Sequence, residues 1–153
     1  METPEINTPK KDYFEPSHTV EHILNQTMIR MFGCERSKNA HIERKKSKAD
    51  YVLEKNISDN DILEIEKRVN EVINRNLDVN IDYRKREDVK GLLDLSKLPE
   101  DASDTLRIVT IGDYDICPCI GKHVENTSQI GRFKIISYDF NSPILRLRFK
   151  IER

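Results

Sequence analysis

The sequence predicts an α+β fold, an antiparallel sheet with helices packed on one face. Three observations carry that expectation. Residues 17–32 and 58–76 each place apolar side chains at helical spacing, and 144–151 alternates apolar and basic residues as a half-buried strand does.

Taken in order, the chain opens on METPEINTPKKDYFEP, where Pro4, Pro9 and Pro16 discourage helix. Residues 1–16 are therefore expected to be a flexible lead-in and 17–153 a single domain. Ser17 is the expected N-cap of a helix running to about Phe32, with Gly33 as its stop. Val20, Ile23, Leu24, Thr27 and Met31 form its core stripe. Two β-like runs follow, 40–43 and 51–54, bridged by the basic stretch Arg44-Lys45-Lys46-Ser47-Lys48 as a hairpin or bend. A second helix begins at Ser58 or Asp59, with Ile62, Ile65, Val69, Val72 and Ile73 on its buried side. Val79, Ile81 and Tyr83 alternate as a strand, 86–93 is a short helix, and 106–111 is a β-branched run ending at the turn Gly112-Asp113. Strands 132–140 and 144–151 flank Asn141-Ser142-Pro143, a hairpin break.

With 153 residues the chain suits one core. Charged residues are 35% and hydrophobic residues 37%, and no stretch approaches the roughly 20 apolar residues that cross a bilayer. The N-terminus lacks a signal-peptide core, so a cytoplasmic protein with no membrane association is expected. Cys34, Cys117 and Cys119 do not make a disulfide framework. The net charge of −1 gives no global case for nucleic-acid binding, so any RNA contact must be a local patch.

Two pairs of residues carry the chemistry. His18 and His22 stand four apart on the first helix. Four residues turn a helix through about 400°, so both imidazoles leave one face roughly 6 Å apart. Cys119 and His123, just after a strand, add a thiolate and a third imidazole, a donor set suited to Zn2+. Three of the four histidines thus fall in the HxxxH and CxxxH motifs, and His41 reads as a strand-surface residue. The histidines fall nearly opposite the core stripe. Cys117 reads as a buried strand-end thiol or a spare ligand, and Cys34 as structural.

HTVEH, then IEKRVNEVIN, then CIGKHVENTSQIGRFKI, in that order, resemble the editing domain shared by alanyl- and threonyl-tRNA synthetases and the stand-alone AlaX-type editing proteins. The likeness covers about residues 17–140, and Val124, Thr127, Ile130 and Gly131 fit the family's turn after CxxxH. It implies an editing-domain-like fold, His18, His22, Cys119 and His123 as zinc ligands, and hydrolysis of the ester joining an amino acid to the acceptor end of tRNA. The expected function is zinc-dependent trans-editing, on misacylated tRNA-Ala first and tRNA-Thr next. Zinc fits such chemistry because it can lower the pKa of bound water to about 7. Four protein ligands would close the sphere, whereas catalytic zinc keeps a position open, so one ligand, His123 or Cys119, is expected to be loose. Thr19 matches a threonine common in alanyl editing domains and is a candidate for bonding substrate or water, or else a helix threonine facing solvent. Where the family has CGGTH or CRGPH this chain has CIGKH, and Lys122 is a candidate for phosphate or an oxyanion, or a solvated loop lysine.

Two rival readings remain. HTVEH also matches HxxEH, a metalloprotease signature with Glu21 as general base, but that reading leaves Cys119 and His123 unexplained. Glu21 can alternatively support a ligand histidine or simply favour the first helical turn. The second rival is a zinc-stabilised RNA-binding or adaptor module without turnover. For RNA, the candidates are Arg44, Lys45, Lys46 and Lys48, then Arg146, Arg148 and Lys150.

Overall fold

The structure, a computed structural model, describes residues 14–89 and 104–153. Most of the expected lead-in and the end of the helix expected at 86–93 lie outside those residues. Helix α1 (Glu15–Phe32) leads to strands β1 (Asn39–His41) and β2 (Ser47–Val52), then helix α2 (Asp59–Asn74). Strand β3 (Val79–Lys85) runs into the one-turn helix α3 (Arg86–Val89). Strands β4 (Thr105–Ile111) and β5 (Asp115–Pro118), a 3-10 turn (Thr127–Gln129), and strands β6 (Arg132–Asn141) and β7 (Ile144–Glu152) complete the order.

The α+β class is as expected, but the strands divide into two antiparallel sheets, β1-β2-β7-β6 and β3-β4-β5. Alternation along a strand tells which face is buried; it does not tell which strands pair. The β2–β7 pairing, Ser47 opposite Phe149 through Val52 opposite Ile144, joins segments too distant in sequence for hairpin logic to find.

Helix α1 starts earlier than expected. Its N-cap is Phe14, and Pro16 sits in the first turn, where a missing N–H costs nothing. Ser17 lies inside the helix and is buried. Gly33 ends it in the left-handed conformation, φ 66°, donating its N–H to Ile29 O. The helix is buried on most of its circumference, Thr19, Val20, His22, Ile23, Leu24, Asn25, Thr27 and Met28 all included. It is wedged between α2 and β7 on one side and β5 on another. The face opposite the apolar stripe is therefore an interior face too.

Helix α2 has the expected cap. Ser58 Oγ accepts from Asp61 N–H while Asp61 accepts from Ser58 N–H, a reciprocal box. Ile65, Val69, Val72 and Ile73 are buried on it. Phe133, Phe149, Leu145, Leu147 and Tyr51 from the larger sheet fill the core beneath. Strand β6 is the edge of that sheet, and α2 covers its open backbone. Asn70 donates to Phe133 O and accepts from Phe133 N–H, both at 2.9 Å, and Glu66 Oε1 accepts from Ile135 N–H at 2.8 Å. Thr127 Oγ1 donates to Ile73 O and accepts from Leu77 N–H, each at 2.9 Å, tying the 3-10 turn to the end of α2. Gly131 takes φ 104°, and a Cβ there would lie 2.7 Å from Glu152 O. Among the described residues no helix is long and apolar enough to cross a membrane.

Candidate metal centre

Period-two alternation on β5 sends Asp115 and Cys117 to the side facing α1 and leaves Ile116 outside, 41% exposed. Cys119 continues that alternation just past the strand. The loop that follows is held by Arg107, which donates to the carbonyls of Cys119 (2.8 Å) and Gly121 (2.6 Å). It returns His123 against the first turns of α1.

His22, Cys119 and His123 come together, one donor atom from each lying within 4.8 Å of the others. The two rings meet edge to face, centroids 4.6 Å apart. His18 stands outside this trio, its Nδ1 4.0 Å from Glu21 Oε1. Of the four residues expected as ligands, the compact trio therefore takes in both Cys119 and His123, the two expected to be loose, together with His22.

Thr19 is fully buried, and its hydroxyl serves three neighbours. It lies 3.0 Å from Glu15 O, which can only accept, so the hydroxyl hydrogen goes there. Its lone pairs then take Val124 N–H (3.1 Å) and His123 Nδ1 (3.1 Å). That places the ring proton of His123 on Nδ1 and leaves Nε2 as a bare acceptor. Nε2 is buried and has no hydrogen-bond partner among the described residues.

On His22, Nδ1 is also buried and lacks a well-formed bond, its nearest acceptor being Asp115 Oδ2 at 3.5 Å. Buried polar atoms are nearly always satisfied, and two unsatisfied ring nitrogens in one cluster call for a ligand or a small adjustment. Thiolate sulfur and imidazole nitrogen are the donors zinc prefers, so the residues fit that ion.

The electrostatics agree. Burial and the neighbouring His22 charge depress His123 to about 2, and burial with His22 lowers His18 to about 4, so both rings stay neutral. Burial opposes charge on His22, but the Asp115 carboxylate and the Cys119 sulfur beside it outweigh it and raise its pKa well above the ordinary value. Burial likewise opposes ionisation of Cys119. The His22 hydrogen bond and charge, with Gly121 N–H at 3.3 Å from Sγ, nevertheless bring the thiol below its usual range. A proton thus shared between imidazole and thiolate is what a metal ion would displace.

The remaining candidates are placed as follows. Glu21 is half-buried beside His18, and Lys122 is exposed on the loop. Cys117 is partly buried, with its thiol pushed up by burial. Cys34 packs against the core. His41 lies at 2.8 Å from Glu43 on a partly exposed strand. Arg44, Lys45 and Lys46 are exposed in the β1–β2 turn, with Lys48 half-buried on β2. The Arg44 guanidinium stacks 4.4 Å over the Phe14 ring, one helical turn before His18. Arg146 pairs with Asp50 and Arg148 with Asp139. Sequence reasoning missed Asp115, Arg36 and Arg107. The signal for Asp115 was the two-residue spacing Asp115, Cys117, Cys119 on one strand face; for the arginines no sequence signal exists. A cleft lined by Phe32, Cys34, Leu53 and Ile57 lies apart from the trio and contains none of its residues.

Comparison with known proteins places this geometry in a family context. Residues 106–147 match the threonyl and alanyl tRNA synthetase second additional domain. The chain is 30% identical over 133 residues to the alanine–tRNA ligase of Pseudoalteromonas translucida, covering 86% of this chain and 15% of that protein. It is 33% identical over 121 residues to that of Oceanobacillus iheyensis, covering 78% and 14%. For Caldicellulosiruptor saccharolyticus the identity is 32% over 127 residues, with 79% and 14% covered. The chain therefore corresponds to about a seventh of each of these relatives. Matched over most of its length, and bringing His22 of HxxxH together with Cys119 and His123 of CxxxH, it is an editing-domain-like protein related to the alanyl- and threonyl-tRNA synthetases.

Proposed function

We propose that the chain is a zinc-dependent hydrolase that deacylates mischarged tRNA in trans in the cytoplasm, with misacylated tRNA-Ala favoured and tRNA-Thr next. The observation that carries this reading is the buried, unpartnered Nε2 of His123 within reach of His22 and Cys119. The kinship with alanine–tRNA ligases supports tRNA as the substrate class. The reaction splits the ester between amino acid and terminal ribose, water supplying hydroxyl to the acyl carbon and a proton to the sugar oxygen.

His22, Cys119 and His123 would hold the ion, with His18 as a fourth ligand or as a neutral ring beside an open position. When bound, zinc would polarise the ester carbonyl or activate water. Thr19 keeps His123 in the tautomer that presents Nε2. Arg107 fixes the Cys119–Gly121 backbone, and Gly121 N–H supports charge on the thiolate. Glu21, 4.0 Å from His18 Nδ1, would orient that ring or take a proton from water near it. Lys122, exposed on the same loop, is suited to phosphate or a developing oxyanion.

The basic turn supports an RNA approach to this end of the molecule. Arg44 stacks on Phe14 at the start of α1, the helix that carries His18 and His22, and Lys45 and Lys46 are its exposed neighbours in the turn. Lysines there contact phosphate without reading sequence.

Hydrolysis of Ser-, Gly- and Ala-charged tRNA by wild type and by His22→Ala tests the proposal. Release of amino acid by the zinc-loaded wild type, lost in the variant, is expected. Binding of charged tRNA without turnover would instead select a zinc-stabilised RNA-binding module.

A further inference from the structure

Behind His22 stands a carboxylate that no sequence motif announced. Asp115 has a side chain 0% exposed, in a part of the molecule where an ionised carboxylate costs several kcal/mol unless it is paired. It is paired thoroughly. Gln26 Nε2 donates to Oδ1 at 2.9 Å, and Arg36 donates to Oδ1 and, at 3.3 Å, to Oδ2. Arg36 is itself only 10% exposed in its side chain and reaches on to Ile116 O at 3.4 Å. These partners come from two places, helix α1 and the segment after it. They hold the carboxylate with Oδ2 3.5 Å from His22 Nδ1.

We infer that Asp115, clamped by Arg36 and Gln26, is a positioning residue that fixes the orientation and tautomer of His22 for a metal ion. The inference rests on the metal reading of the trio. With Nδ1–H turned to Asp115, the other ring nitrogen is the one offered to the cluster, and the carboxylate strengthens it as a donor. The centre then presents both imidazoles in the same way by two different devices. A neutral hydroxyl, Thr19, sets His123, and a buried carboxylate sets His22. A purely structural role leaves one fact unexplained. Arg36 and Gln26 already tie β5 to α1, yet Oδ2 is also aimed at a ring nitrogen that has no better acceptor.

The test is zinc affinity, read by competition with a chromophoric chelator, and the visible spectrum of the cobalt-substituted protein, which reports ligand geometry without turnover. Asp115→Asn keeps the shape and the contact with Gln26 but removes the charge. It is expected to weaken zinc about 10–100-fold and to alter the cobalt bands. Arg36→Met, which leaves every ring and carboxylate in place but unclamps Asp115, is expected to shift both readouts the same way by less. Asp115→Glu is expected to recover part of the affinity. Should Asp115→Asn fail to fold, Arg36→Met carries the prediction alone. Variants that melt lower yet keep wild-type zinc affinity and cobalt bands would reduce Asp115 to a tether and overturn the inference, while the metal reading would stand. A wild type that binds neither ion would overturn both.

Discussion

Two polar networks are built from residues of the stretches that resemble the synthetases, and they behave differently. Where α2 meets β6, Glu66, Asn70 and Thr127 are paired with backbone at 2.8–2.9 Å. Where α1 meets β5, His123 Nε2 is buried with no hydrogen-bond partner among the described residues, and His22 Nδ1 has Asp115 Oδ2 only at 3.5 Å. A saturated network has finished its work when the chain folds; it closes an exposed sheet edge and rigidifies a turn. An unsaturated one of thiol and imidazoles could hold a metal ion. Motif residues of the same family thus divide into those whose polar groups the fold satisfies and those on which the metal proposal rests.

The largest contrast between the networks is expected from their single deletions. His123→Ala should abolish stoichiometric zinc binding, measured by elemental analysis, while the zinc-free protein loses one hydrogen bond, to Thr19, and a ring contact with His22, so that it melts closer to wild type than Asn70→Ala does. Asn70→Ala should do the opposite. It strands Phe133 N–H and C=O at once, costing about 2–4 kcal/mol in denaturant unfolding, with zinc content unchanged. Equal effects of both variants on both readouts would erase the distinction.

A smaller effect is expected at Gly131. Its φ of 104°, with Glu152 O only 2.7 Å from where a methyl carbon would sit, leaves no room for a side chain. Gly131→Ala should therefore cost roughly 1–3 kcal/mol, limited by how far the end of β7 can yield. The loss belongs to the fold and not to the metal centre, so zinc affinity should not follow it.

The smallest effect concerns a pair outside both networks. Asp50 accepts two bonds from Arg146, at 2.8 and 2.9 Å, and these hold its pKa below the ordinary carboxylate value. A depressed pKa contributes stability above the unfolded value of about 3.9 and loses it as pH falls through the folded one. Melting temperature should therefore drop less steeply below about pH 4 in Asp50→Asn than in wild type. Parallel acid profiles would show that the ion pair adds nothing, as is common for partly exposed pairs.

Much of this division is legible in residue spacing, but unevenly. The caps Ser58 and Gly33, the two helical stripes and the β6–β7 hairpin follow from local chemistry and lie nearly where it puts them. Pro16 misleads because proline reads as a breaker, although it sits in the first turn, the position that tolerates it. The pairs His18–His22 and Cys119–His123 are visible because four-residue spacing is itself a geometry. That Thr19 serves His123 is not, since its partner is 104 positions away. Arg36 and Arg107 are invisible for the same reason; one charged residue among many acquires meaning only from what the chain folds against it. The separation into two sheets is hidden likewise, because pairing between β2 and β7 depends on register and not on either strand alone.

The central claim is that His22, Cys119 and His123 bind one zinc ion together. X-ray absorption at the zinc edge of the loaded protein tests it most directly. The account predicts a single sulfur at about 2.3 Å and two or three imidazole nitrogens at about 2.0 Å. A shell of oxygen and nitrogen without sulfur, or a protein that takes up no zinc at neutral pH, would contradict it.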